Sequence, residues 1–150
     1  MKIFKSIAIG FFLLGTTIWG QDSKTTKVMD EMIQIHESLV KETAGKLETK
    51  KLVGLLNKGS DDKKDSAVYK AAVPFAEKLG KADNQNDKLN TYSQLVEALA
   101  ATVSHHDKSK ANLFYCPMVK KKWIAKGEKI VNPYSKDMRE CGEKQQGSTR

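Results

Sequence analysis

Apolar residues recur at helical spacing over most of this chain. Val28, Met32, Ile35 and Leu39 follow a three-four rhythm, and Met29, Ile33, His36 and Val40 lay a second stripe beside it. This predicts an amphipathic helix over residues 24–42. The pattern falters at Thr43-Ala44-Gly45 and resumes through Leu47, Leu52, Val53, Leu55 and Leu56. It stops at Asn57-Lys58-Gly59-Ser60, where Gly59 suits a helix end. A third stretch, Val68, Tyr69, Ala72, Val73, Phe75, Ala76 and Leu79, can be capped by Asp65 or Ser66. Pro74 lies inside it, and a missing amide donor there predicts a kink or a break. The fourth stretch starts after Asn86 or Asp87, repeats Leu89, Tyr92, Val96, Leu99 and Val103, and is expected to end near His105-His106. Imidazolium is favoured at a helix carboxyl end.

From Lys108 the rhythm is lost. Asn112-Leu113-Phe114-Tyr115 is short and apolar, Pro117 and Pro133 forbid a continuous helix, and Gly127 and Gly142 add turns. The expected fold class is all-α: an antiparallel four-helix bundle with an irregular C-terminal hook over residues 112–142. At most a short strand or hairpin is foreseen in the hook, with Trp123, Ile130 and Tyr134 anchoring it. Residues 21–150 are read as one domain, long enough for a single core.

The amino terminus changes the context. Lys2 and Lys5 precede an apolar run from Ile7 to Trp19, which reads as a secretory signal peptide over residues 1–20, with cleavage after Gly20. An uncleaved anchor is the alternative, because Ile18 is bulky for its place before the cut. Cleavage removes two of the net +8 charges. The remaining lysines are dispersed except for Lys120-Lys121-Lys122, so they are read as solvating helix faces, and an exported address argues against nucleic acid. Localisation is expected to be periplasmic or secreted, with no membrane span after cleavage.

Candidate chemistry gathers in the hook. Cys116 and Cys141, the chain's two cysteines, each have a methionine nearby, Met118 and Met138. Two thiolates and two thioethers are the ligands soft Cu(I) or Ag(I) prefers, and His105 or His106 is a candidate to join them. An exported compartment equally allows a Cys116–Cys141 disulfide, worth about 3–4 kcal/mol on the chain-entropy model. Their separation by 24 residues fits no zinc-finger spacing. Met29, Met32 and His36 share one helical surface and form a weaker second metal candidate, against a plain packing role. A Cys116–His105 or Cys116–His106 nucleophile pair is set aside because Pro117 follows the cysteine and no helix amino terminus lowers its pKa. Neither a phosphate loop nor a zinc-protease motif is present, and the chain is not read as an enzyme.

Tyr115-Cys116-Pro117-Met118, Trp123, Ile130-Val131-Asn132-Pro133-Tyr134 and Met138-x-x-Cys141-Gly142 together resemble the carboxyl end of domain of unknown function 3347. Weaker likeness extends to Tyr92-Ser93-Gln94-Leu95-Val96-Glu97-Ala98-Leu99 and to Ile35-His36-Glu37-Ser38-Leu39-Val40. Lys121-Lys122 and Ser135-Lys136-Asp137 depart from the glycine-containing turns usual in that family. Its members are small exported bacterial proteins or are fused to membrane-fusion adaptors of copper and silver efflux. The resemblance implies a helical domain of heavy-metal handling in the envelope, with an efflux adaptor or another envelope protein as partner. Two functions are therefore carried forward: a Cu(I)/Ag(I) chaperone or buffer, and a disulfide-stapled interaction module with no metal of its own.

Overall fold

The computed structural model describes residues 23–146. The expected signal peptide lies outside these residues. Four α-helices come first: α1 (Lys24–Val40), α2 (Lys50–Asn57), α3 (Lys63–Lys81) and α4 (Gln85–Leu99), which runs on into a 3-10 turn at Ala100–Thr102. Three strands follow, β1 (Ala111–Cys116), β2 (Lys121–Lys126) and β3 (Glu143–Lys144). They form one antiparallel sheet in the order β2-β1-β3. The all-α expectation is thereby corrected: the fold is mixed, with helices packed on a small sheet.

Each helix has a local cause. Ser23 caps α1 by accepting from Thr26 N–H, Asp62 caps α3 through Lys64 and Asp65 N–H, and Asn84 caps α4 through Asp87 N–H. The caps of α3 and α4 thus fall a few residues earlier than the apolar rhythm alone indicates. No break occurs at Pro74: α3 is continuous, and both Pro74 and Lys70, the residue four before it, are exposed. A carbonyl that loses its helical partner there can turn to solvent. Beyond α4 the chain turns sharply, with Ser104 and His106 in the left-handed region, so the two histidines sit in a bend and not on a helix end.

The core joins both parts. Val28, Met32 and Leu39 of α1, Leu52 and Leu56 of α2, Tyr69, Ala72, Ala76 and Leu79 of α3, and Tyr92, Leu95, Val96 and Leu99 of α4 are buried with Phe114, Trp123 and Ile124 of the sheet. The sheet lies against α1 and α4, mainly through β2. Gly127 N–H donates to Lys110 O at 2.9 Å, which sets the ladder so that Lys122, Ile124 and Lys126 turn their backbone groups away from β1. On that edge the buried Tyr92 hydroxyl donates to Ile124 O and accepts from Ile124 N–H, both at 3.1 Å. Tyr134 Oη donates to Lys122 O at 2.6 Å.

The short strand or hairpin foreseen in the hook is the β1–β2 pair, and its bounds were hidden because its alternation is imperfect. Trp123, Ile124 and Ala125 are all buried in succession, since β2 is covered on one face by its own hook and on the other by helices. The four-residue connection Pro117-Met118-Val119-Lys120, with Lys120 at φ 53°, matches none of the two-residue hairpin signals.

Candidate functional site

Cys116 and Cys141 are bonded, with their Cα atoms 5.5 Å apart. Cys116 closes β1 and is fully buried, whereas Cys141 is half-buried. Between β2 and Cys141 runs the part of the hook that has no regular structure, residues 128–142. Its organising residue is Asn132, fully buried. Asn132 Oδ1 accepts from Tyr134 N–H at 2.9 Å, a turn that accommodates Pro133. Asn132 N–H donates to Arg139 O at 2.8 Å, and the Arg139 guanidinium returns a bond to Asn132 O at 2.7 Å. The same guanidinium reaches Val40 O at 3.2 Å, so a cation sits at the carboxyl end of α1.

A second tie to α1 comes from His36, whose Nε2 is 2.8 Å from Val131 O and donates to it. Burial holds the His36 imidazole below its usual pKa of 6.5, the hydrogen bond to Val131 and the charge of Glu37 oppose this, and Arg139 reinforces it. Lys136 adds an exposed ion pair to Glu42 at 2.8 Å. Burial pushes the Tyr134 and Tyr92 phenols well above their usual range, so both stay neutral donors.

Trp123 is the floor of the hook. It is fully buried, stacks on Phe114 with ring centroids 5.6 Å apart, and lies so close under Gly142 that a Cβ there would clash with its Cη2. Two buried donors, Trp123 Nε1 and Asn132 Nδ2, find no acceptor among the described residues. The hook is tied by backbone-directed hydrogen bonds, by the packing of Ile130 and Tyr134 on the core and by one covalent link.

The predicted ligands are distributed unequally. Met118 stands at the hairpin tip, 72% exposed, and Met138 is half-buried, with its carbonyl accepting from Cys141 N–H at 3.0 Å. His105 is held elsewhere: its Nδ1 is 3.0 Å from Asp65 Oδ2 on α3, and its ring lies 4.2 Å from that of His106. That bend precedes β1, and six residues of strand carry the chain roughly 17 Å away from it to Cys116. Met29 and Met32 are packed in the core with no exposed surface, while His36 serves Val131. Among the described residues no group of three or more His, Cys, Asp or Glu side chains is placed to hold a metal ion.

The lysine run is partly engaged internally. Lys122 pairs with Glu97 at 3.0 Å, and Lys121 bonds Asn90 Oδ1 at 2.9 Å and lies 5.0 Å over the Tyr134 ring. Asn132, Arg139 and Tyr92 were not singled out as functional in the sequence. The available signal was an asparagine before proline, since Asx turns recur there.

Chemically, a bonded pair offers no thiolate to a metal. In this form the site can brace the hook against α1 and β2, and it exposes one thioether, Met118, beside the bond. Among the described residues no helix is long and apolar enough to cross a membrane. Comparison with family models, with curated proteins and with solved structures finds no match to this chain.

Proposed function

We propose that this chain is an exported accessory module of Cu(I) or Ag(I) handling that works disulfide-closed, docking on an efflux adaptor or another envelope protein without holding metal itself. The observation that carries this reading is the Cys116–Cys141 bond, which withdraws both thiolates from any ligand set. The link to heavy metals rests on the hook residues that resemble domain of unknown function 3347. Export rests on the amino-terminal pattern and agrees with a disulfide, which persists in oxidising compartments.

Alkylation of free thiols before and after reduction, with metal analysis of protein taken from its own compartment, tests the reading. A quantitative disulfide without copper is expected. Free thiols carrying copper would overturn it.

A second reading is favoured by the placement of two thioethers, Met118 and Met138, on the two arms that the bond joins. Reduced, Cys116, Met118, Met138 and Cys141 would form a soft donor set for Cu(I) or Ag(I). Titration of the reduced protein with Cu(I) against a chromophoric chelator decides it. Equal affinity in a Cys116→Ser, Cys141→Ser double variant removes the assignment.

A further inference from the structure

We infer that residues 128–142 form a redox-released strap: reduction of Cys116–Cys141 frees this segment from α1 and β2 while the helices and the β1–β2 hairpin keep their structure. The inference depends on the disulfide and on the packing around it, and not on metal binding or on any partner.

Two halves of the molecule are held differently. The hairpin is fixed by its ladder, by the packing of β2 on α1 and α4 and by the Phe114–Trp123 stack within it. The strap reaches the body through His36 to Val131 O, Arg139 to Val40 O, Tyr134 to Lys122 O and the exposed Lys136–Glu42 pair, with Ile130 and Tyr134 packed at the margin of the core. Beneath it lie the Trp123 ring, under Gly142, and the buried His36 imidazole. These ties are few and local, and the covalent link to Cys116 holds the far end of the segment in place.

The sulfurs are also unequal. Cys141 is half-buried and Cys116 is fully buried, so a dithiol reductant attacks Cys141 Sγ. The sulfur–sulfur bond breaks, and Cys116 leaves as a thiolate that takes a proton. The second thiol of the reductant then displaces Cys141, which is protonated in turn. Two electrons and two protons pass to the protein, and the reductant becomes a disulfide. The open form uncovers Trp123, His36 and both thiols, while Met118 is exposed in either form. It is the state in which the soft donor set of the second reading would become available.

Hydrogen exchange read by mass spectrometry, on metal-free protein before and after reduction with a dithiol, tests the inference. Amides inside the strap, those of Asn132 and Cys141 among them, are expected to exchange at least about tenfold faster after reduction. Ladder amides at Phe114 and Trp123, and those of α4, are expected to hold their rates. Unchanged strap amides would overturn the inference, because the polar ties alone would then suffice. Equal acceleration everywhere would overturn it too, because the bond would then brace the whole domain. Alkylation of the reduced protein gives an independent reading: Cys116 is expected to react at a rate within about threefold of Cys141, as local opening requires. A Cys116 that stays protected while Cys141 reacts would contradict release.

Discussion

The helical body and the strap spend their contacts in opposite ways. In the body, side chains at three- and four-residue spacing interlock in one apolar core, with buried polar residues such as Thr25, Glu31 and Asp65 at its margin. In the strap, few side chains are fully buried, and the ties run from His36, Arg139 and Tyr134 to backbone carbonyls. Stability in the first is spread over many residues, so no single contact decides it. In the second it is concentrated in a handful of bonds and one disulfide, so each can be tested alone.

The largest expected effect belongs to the body. Leu95→Ala should lower stability by about 2–5 kcal/mol in urea denaturation, by the same amount in oxidised and reduced protein, since Leu95 is fully buried in α4. A loss that depended on the disulfide would erase the contrast. Gly142→Ala comes next, at about 1–3 kcal/mol, because the added methyl must push Trp123 aside. This loss should shrink once the bond is reduced. Tyr134→Phe removes one hydrogen bond between strap and sheet and should cost about 1 kcal/mol in the oxidised protein.

Gly54→Ala sharpens the comparison from the other side. Nothing lies within 4 Å of a Cβ at this helical position, so the change should raise stability by about 0.4–1 kcal/mol. The smallest effect at neutral pH is that of His36. Its folded pKa lies below 6.5, so the unfolded chain takes up the proton first as acid is added. Its contribution is complete above about pH 6.5 and declines as pH falls towards the folded value. Denaturation series at successive pH values should show this slope, and His36→Gln should flatten it.

Much of the body was legible in the sequence. Val28, Met32, Ile35 and Leu39 announced α1, and Leu89, Tyr92, Val96 and Leu99 announced α4, because a helix buried on one face writes its period into the chain. The hairpin was foreseen without its bounds, for the opposite reason: β2 is covered on both faces, so Trp123-Ile124-Ala125 shows no alternation. The hook ligands could be listed from residue type, and the possibility of a bond between the two cysteines followed from compartment. Where Met118, Met138, His105 and His106 stand could not be read. Those positions depend on the turn at 117–120 and on Asp65, forty residues away in sequence from His105.

One phenol near the middle of α4 has a consequence for how copies of this chain meet. A strand at the margin of a sheet is an invitation to a neighbour's strand. Here Tyr92 occupies both backbone groups of Ile124, and it belongs to the body, so opening the strap does not withdraw it. Molecules that lose the disulfide therefore keep the centre of the β2 margin occupied at Ile124 even though Lys122 O gives up Tyr134 with the strap, so a second strand laid along β2 is obstructed at its middle.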